Sequence, residues 1–333
     1  MIQSRPVVVK VVVQSGIVPL DLVGPCQVLE SANRLVDSDP RFFGARHFQV
    51  EYIGPCPEIE WCGGLNLSGI APLPDGLDDT DLLLLPGLYS NQSPHPGVLG
   101  WLENKALNAR TCMAVCSGAI QLALAGLLRE RSATTHHSLF EMLKNIDPTI
   151  DIKRGSIYVV DGNIITSAGI STGIDTLLNW VTHVVGNELA IAIARDLVLP
   201  LRRSSDFPQL SSWLTGRQHA DKAVHLAQNL ISMSPEHSWT MSLLSERVAL
   251  GPRQLSRRFR AHTGLTIGEY YRQIRIDRAT MLLKETAMPI SLIAEALGFG
   301  DERHFRRLWQ EEKGVSPARW RKRNASLNAQ SYL

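Results

Sequence analysis

The most constraining feature of this 333-residue chain is a stretch of sequence that occurs twice in its last third. Leu244 to Arg272 can be laid on Ile293 to Arg321 at an offset of 49 residues, which becomes 50 after one extra residue. In the first copy Leu244 and Val248 lead to Leu250-Gly251-Pro252, then to Leu255, Arg257 and Phe259, then to Gly264 and Tyr271-Arg272. In the second, Ile293 and Leu297 lead to Phe299-Gly300-Asp301, then to Phe305, Arg307 and Trp309, then to Gly314 and Trp320-Arg321. Each copy reads as a short helix, a tight turn and a second helix. Apolar residues at i and i+4, Leu255 with Phe259 and Phe305 with Trp309, fix that second helix to a core, which is the helix-turn-helix pattern. Pro252 suits a first helical position, Asp301 an N-cap, and Gly264 and Gly314 the helix ends. Between the copies the capping-box spacing Thr266-x-x-Glu269 opens a long helix to Lys284, with Ile267, Tyr270, Ile274 and Met281 along one face. That helix should hold the two copies at a fixed distance.

The outward positions of the second helices are Arg253, Ser256, Arg257 and Arg260 in the first copy, and Glu302, Arg303, Arg306 and Arg307 in the second. Arginine can grip a guanine edge through two hydrogen bonds or neutralise a phosphate, and glutamate can accept from cytosine. A single surface arginine is as readily a solvated charge. The set, repeated on two equivalent helices, points to double-stranded DNA. Two such helices on one frame could enter successive major-groove segments roughly 34 Å apart. Charge supports this: residues 216–333 carry 19 Lys and Arg against 11 Asp and Glu, whereas residues 1–215 carry 15 against 21. Only the basic part is suited to approach a polyanion.

The preceding two thirds has a different texture. Short β-branched or leucine-rich runs, Val7 to Val13, Phe48 to Ile53, Leu82 to Leu85, Cys112 to Val115 and Ile164 to Thr166, read as strands. Helical patterns fall between or after them at Asp21 to Leu35, Val98 to Asn108, Gly118 to Ala125 and Thr172 to Val185. Alternation of this kind predicts an α/β layered domain with a mainly parallel sheet, and near-continuous apolar runs suit strands covered on both faces. The segment from about Leu201 to Gly216 is loop-rich. The expected organisation is therefore an α/β domain over 1–200, a linker over 201–216, an all-α domain over 217–323 and a tail over 324–333.

Composition sets limits. With 44% hydrophobic and 20% charged residues the chain is ordinary globular protein. Val7 to Val13 is short and carries Lys10, so it does not read as a signal segment, and no run reaches the roughly 18 apolar residues of a membrane span. A cytoplasmic protein is expected, with no membrane partner. The five cysteines (Cys26, Cys56, Cys62, Cys112, Cys116) form no Cys-x-x-Cys pair. Neither a disulfide framework, a metal site nor a cofactor is expected.

One cysteine stands out. Ala114-Val115-Cys116-Ser117-Gly118-Ala119 follows a strand and opens a helix, where a nucleophile elbow holds its reactive side chain. A thiol at a helix N-terminus should have a lowered pKa; alternatively it is a packed small residue. Trp61-Cys62 before Gly63-Gly64 reads as a surface turn with a packed aromatic, Asp75 to Asp81 as a solvated acidic loop, and Thr172 to Val185 as a possible dimer contact.

Two resemblances sharpen these readings. Arg253 to Gly264, Arg275 to Leu283, Ile293 to Phe299 and Gly314 to Arg321 resemble the DNA-binding domain of the arabinose-regulator (AraC/XylS) family, over about Asp221 to Arg323. That implies seven helices, promoter binding and usually activation, with RNA polymerase as a partner. Pro19 to Pro25, Pro86-Gly87, the Cys116 elbow, Ala133 to His136 and Thr166 to Gly169 resemble the class I glutamine-amidotransferase-like superfamily. Within it they are most similar to the intracellular-protease-like branch fused to AraC-type domains, over roughly Pro6 to Asp196. The resemblance implies that Cys116 matches the nucleophile, His136 the histidine beside it and Asp21 the acid, with His137 as a wall residue.

Two functions of this pocket stay open. In one, Asp21, Gly87, Cys116, Ser117, His136 and His137 bind a small-molecule effector, no residue is firmly catalytic, and the chain is a metabolite-responsive, homodimeric transcription activator. In the other, Cys116 and His136, with Asp21, hydrolyse or hydrate a small amide-like compound.

Overall fold

The computed structural model describes residues 5–169, 171–199, 203, 205, 209, 216–217 and 219–322. The chain divides into two compact units, Met1–Gln209 and Leu210–Leu333.

In the N-terminal unit the strands run β1 (Val7–Val12), β2 (Phe48–Gly54), β3 (Glu58–Glu60), β4 (Asn66–Ser68), β5 (Ala71–Pro72), β6 (Leu82–Leu85), β7 (Cys112–Val115), β8 (Ser132–Ala133), β9 (Asp151–Ile152), β10 (Tyr158–Asp161) and β11 (Ile164–Ser167). The helices are α1 (Pro19–Ser38), α2 (Pro96–Lys105), α3 (Gly118–Leu124), α4 (Phe140–Ile146), α5 (Ser171–Val185) and α6 (Asn187–Asp196). Seven strands form one sheet in the order β10-β11-β7-β6-β1-β2-β5. Every pairing in it is parallel except that of β10 with β11.

The leucine run of β6 shows why the sheet is central. Leu82 to Leu85 are all fully buried, but Leu82 and Leu84 belong to one core and Leu83 and Leu85 to the other. Successive side chains point to opposite faces of a strand, so an unbroken apolar run needs cover on both. Helices α1, α5 and α6 supply one layer and α2, α3 and α4 the other. Each buried leucine contributes roughly 1.5–3 kcal/mol. The antiparallel β10 and the β3–β4 hairpin were not anticipated: β10 is only half-buried beyond Tyr158 and lacks the continuous apolar run of β6, and the three-residue strands of the hairpin carry too few alternations to stand out.

The acidic loop before β6 is not solvated throughout. Asp81 is buried, accepts from the Val8 amide at 2.9 Å, and pairs with Arg5 at 3.0 Å and Arg110 at 3.3 Å. Its burial is sustained by those cationic partners, which cannot be read from the local acidic sequence.

The expected linker, 201–216, lies largely outside the described residues. Three of its described positions are bonded within the N-terminal unit. Arg203 pairs with buried Asp175 at 2.6 Å, the Ser205 carbonyl accepts from Ile157 N at 2.8 Å, and Gln209 Nε2 lies 3.0 Å from Thr134 Oγ1, Thr135 O and Ser156 O.

The C-terminal unit contains α7 (Lys222–Met233), α8 (Met241–Arg247), α9 (Pro252–Thr263), α10 (Ile267–Glu285), α11 (Ile290–Ala296), α12 (Glu302–Lys313) and a helical stretch at 317–322. The capping box at Thr266 and Glu269 is formed. The single apolar face expected for α10 is instead divided. Ile267, Tyr270 and Ile274 join one core with Leu255 and Phe259, while Ile276, Ala279 and Leu283 join another with Phe305 and Trp309. One helix serves two cores, so its apolar residues cannot share one stripe.

The two turns are built alike. Leu250 N donates to Ser245 O at 3.0 Å, and Phe299 N to Ala294 O at 2.9 Å. Both turns need a left-handed residue, which is Gly298 (φ 67°) in the second but Ala249 (φ 54°) in the first. An L side chain in that conformation is strained by about 1–2 kcal/mol. Ala249→Gly should therefore stabilise the C-terminal unit by about 1 kcal/mol. Gly298→Ala, whose Cβ would lie 2.2 Å from Glu236 O, should cost about 2 kcal/mol or more. Calorimetric unfolding of the full chain checks both; equal effects of either substitution would contradict the inferred strain.

Candidate functional sites

On α9, Leu255 and Phe259 are fully buried, which turns Arg253, Ser256, Arg257 and Arg260 outward to solvent. These four line an open concavity with Met241, Pro252 and Ala261. On α12, buried Phe305 and Trp309 do the same for Arg303, Arg306 and Arg307, with Glu302 half-buried. Arg306 Nε donates to Glu302 Oε1 at 2.6 Å, one turn away. Among the described residues, no carboxylate lies within ion-pairing distance of Arg253, Arg257, Arg260, Arg303 or Arg307.

Other arginines hold the fold. Arg258 binds buried Asp221 through Nε at 2.7 Å, and Asp221 in turn caps α7. Arg275 Nε donates to Leu297 O at 2.6 Å, with its guanidinium 3.9 Å from the Phe299 ring centroid. Arg321 donates to Met288 O at 2.6 Å. Sequence reading did not single out Arg258 as structural, although its place three residues after Leu255 turns it toward the core side. The C-terminal unit thus combines inward arginines that fix the helices with outward ones left available to a polyanion.

The second site is at the elbow. Cys116 follows β7 at φ 58°, a conformation that L residues rarely adopt. Around it the chain comes close enough that only glycine fits. A Cβ on Gly87 would lie 2.6 Å from Asp21 Oδ2 and 2.7 Å from Ser117 Oγ, and one on Gly169 would lie 2.6 Å from Cys116 Sγ. Ser117 Oγ donates to Leu88 O at 2.6 Å and accepts from Leu88 N at 2.7 Å, tying the loop after β6 to the elbow. Thr135 Oγ1 donates to Cys116 O at 2.9 Å. The structure therefore brings Asp21, Gly87, Cys116 and Ser117 together, at the carboxyl ends of β1, β6, β7 and β11. That is the edge where ligands bind in open parallel sheets, here beside the reversal of strand order between β1 and β6.

The state of the thiol differs from expectation. Cys116 is 9% exposed and its thiol hydrogen-bonds to Asp21, which is fully buried. Burial, and then the Asp21 charge, push the thiol pKa up to about 12 rather than down. The helix that follows has only seven residues, too short to offset both effects.

His136 and His137 stand together, with ring centroids 4.2 Å apart. His136 Nδ1 lies 2.8 Å from Ser138 Oγ, and burial lowers the His136 pKa. Among the described residues no hydrogen bond joins His136 to Cys116. The sequence-predicted pocket residues thus fall into two groups, four at the elbow and two histidines beyond Thr135.

Two contributors were missed. Ser167, at the end of β11, accepts from Cys116 N through its carbonyl at 3.0 Å, and its buried hydroxyl has no partner among the described residues. Gln121 Nε2 donates to Pro86 O at 3.0 Å while its Oε1 accepts from Gln14 Nε2 at 2.8 Å, a buried amide chain beneath the Gly87 loop. A lone polar residue inside otherwise apolar α3 was the signal for Gln121.

Comparison with known proteins bears on both sites. The Helix-turn-helix domain family matches residues 244–323, and the DJ-1/PfpI family matches residues 8–183. The chain is similar to the HTH-type transcriptional regulator CdhR of Pseudomonas aeruginosa, with 27% identity over 237 residues, 71% of this chain and 70% of the relative. It is similar to the HTH-type transcriptional regulator GlxA of Rhizobium meliloti, with 27% identity over 212 residues, 64% of this chain and 65% of the relative. It also resembles the HTH-type transcriptional activator RhaR of Salmonella dublin, with 32% identity over 141 residues, 41% of this chain and 47% of the relative. Not all of these relatives' length is therefore matched.

Among solved structures, an AraC family transcriptional regulator from Pseudomonas putida gives a TM-score of 0.50 at 20% identity, covering 58% of this chain and 100% of the other. A ThiJ/PfpI family protein from Pseudomonas syringae gives 0.51 at 17% identity, covering 82% and 90%. These two share the fold.

A thiol with a pKa of about 12 is almost wholly protonated at pH 8, and the thiolate is the reactive form. Iodoacetamide at pH 8 should therefore modify exposed Cys56 and leave Cys116 intact, as read by peptide mass spectrometry. Asp21→Asn removes the adjacent charge, so Cys116 alkylation should accelerate about tenfold. Modification of Cys116 in the native chain as fast as Cys56 would refute this account of the thiol.

Proposed function

The chain belongs to the DJ-1/PfpI family and carries an AraC-type helix-turn-helix domain, and from that premise we propose that it is a cytoplasmic transcription activator controlled by a small polar metabolite. As a helix-turn-helix regulator it binds DNA. The observation that carries the reading of which residues do so is the repeated outward arginine set on α9 and α12, of which Arg253, Arg257, Arg260, Arg303 and Arg307 have no carboxylate within ion-pairing distance among the described residues. Arg253, Arg257 and Arg260 on one helix, and Arg303 and Arg307 on the other, can reach base edges or phosphates. Ser256 adds a short hydrogen-bonding side chain. Glu302 and Arg306 hold one another until DNA competes for the guanidinium. The named activator among the relatives supports activation, with RNA polymerase as the downstream partner.

For the N-terminal unit, binding is favoured over catalysis. A nucleophilic cysteine needs a thiolate and a base within reach. Here burial and Asp21 hold the proton on Cys116, and His136 is bonded to Ser138. The proposed effector site comprises Asp21, Gly87, Cys116 and Ser117, with His136 and His137 as an adjoining wall. An effector that binds one conformation better than another is sufficient to regulate by shifting populations.

Arg257→Ala and Arg307→Ala should each weaken binding to a specific promoter fragment by about 1–3 kcal/mol if they read bases. Arg306→Ala should cost less, because its guanidinium is shared with Glu302. Fluorescence anisotropy across a salt series separates base readout from phosphate contact. Unchanged affinity in both variants would remove these residues from the interface.

For the effector, a thermal-shift screen of amino acids, quaternary amines and amides against the full chain should yield a stabiliser whose effect weakens in Asp21→Asn. Turnover of that compound by the native chain, lost in Cys116→Ser, would overturn the sensing reading.

A further inference from the structure

The residues that end the N-terminal unit are tied to the segments that shape the elbow. Gln209, the last residue of that unit, donates from Nε2 to Thr135 O at 3.0 Å. Thr135 Oγ1 in turn donates to Cys116 O at 2.9 Å. The Ser205 carbonyl accepts from Ile157 N at 2.8 Å, and the Ile157 carbonyl accepts from Ala168 N at 2.7 Å, directly before Gly169. Arg203 donates from its amide to Asp175 Oδ1 at 2.9 Å and from Nη2 to Ser171 Oγ at 2.8 Å, both in α5. Beside Ser171, Thr172 Oγ1 donates to Gly169 O at 2.9 Å. Three separate paths therefore lead to the two things that confine Cys116, the bond on its carbonyl and the close approach of Gly169. There is little slack where they end. A Cβ on Gly169 would lie 2.3 Å from Cys116 Cβ and 2.6 Å from Sγ. A group lodged at Sγ must displace Gly169 or the Cys116 carbonyl, and close packing passes such a displacement to the bonded neighbours.

We propose that Arg203, Ser205 and Gln209 are positioning residues of the elbow, and that their contacts loosen when a group is lodged against Cys116. The coupling is reciprocal: weakening these contacts must equally ease displacement at the elbow. The inference deepens the reading of the elbow as an effector site and rests on it for its purpose. It gives an occupant there a way to act on the chain that continues into the helix-turn-helix unit.

Gln209→Met keeps the size of the side chain and removes the donor. In the full chain at pH 8 it should accelerate iodoacetamide alkylation of Cys116 about fivefold, through easier local opening, as read by peptide mass spectrometry. Cys112, fully buried at the start of β7, should stay as slow as in the native chain. In the opposite direction, the Asp21→Asn chain alkylated at Cys116 carries a carbamidomethyl group as a defined occupant. Its Arg203 and Ile157 amides should exchange with deuterium about fivefold faster than in an Asp21→Asn, Cys116→Ser chain treated alike. The Trp61 amide, bonded to Leu65 O at 2.7 Å, should not change. An unchanged Cys116 rate in Gln209→Met, acceleration of Cys112 alongside Cys116, or unchanged exchange at either amide overturns the proposal. Should Gln209→Met fail to fold by circular dichroism, the exchange comparison, in which residue 209 is unaltered, decides. Neither readout uses an effector or DNA, so turnover of a substrate at Cys116 would overturn the sensing reading and leave this coupling standing.

Discussion

Each unit is organised by one element that is apolar on two sides, and such an element can be buried only if other elements cover both. In the N-terminal unit this is the centre of the sheet, where Leu82 and Leu84 face one core and Leu83 and Leu85 the other. Two helical layers follow from that constraint, and parallel pairing follows from returning the chain through those helices. Parallel strands in turn end on the same edge, so Asp21, Gly87, Cys116 and Gly169, far apart in sequence, become neighbours. In the C-terminal unit the corresponding element is α10, whose first half is buried with Phe259 and whose second half is buried with Trp309. Because one continuous helix serves both cores, the position of α9 is tied to that of α12.

What could be read from the sequence is what depends on local spacing. The four leucines of β6, the i and i+4 pairs of α9 and α12, and the capping box at Thr266 express their structure within a few residues, so their elements were identified closely. The elbow was also legible, because a strand, a cysteine and a glycine in succession define it. The state of the thiol was not. It depends on the depth of Cys116 and on the charge of Asp21, 95 positions earlier, and neither is encoded near the cysteine. The same reason separates Arg257 from Arg258, adjacent and chemically identical. Only the partner Asp221 makes the second structural. Asp81 was read as solvated for want of its arginines, which come from three distant segments.

Positive φ at a residue with a side chain marks two different situations in this molecule. At Ala249 it is a departure from the better residue, since the equivalent turn has Gly298 and the same hydrogen bonds. At Cys116 it is over-determined: Gly87 and Gly169 leave no room for another arrangement, Thr135 holds the carbonyl, and Ser167 holds the amide. Strain maintained by so many contacts is associated with function. A strained elbow with a protonated thiol keeps the shape of a reactive site while withholding the reactive form, which suits recognition more than turnover.

The two sites should also respond differently to being occupied. The outward arginines are long exposed side chains on single helices, so each can adjust to a bound polyanion without moving the core beneath it. The elbow is assembled from four strand ends, each continuous with a strand packed on both faces. A ligand that pushes Asp21 from Cys116, or Gly87 from Ser117, must shift one of those ends, and close-packed cores resist gradual deformation. They change between discrete arrangements instead. Under the proposed function, an effector bound at the elbow would act as a switch, whereas the outward arginine face would grip DNA.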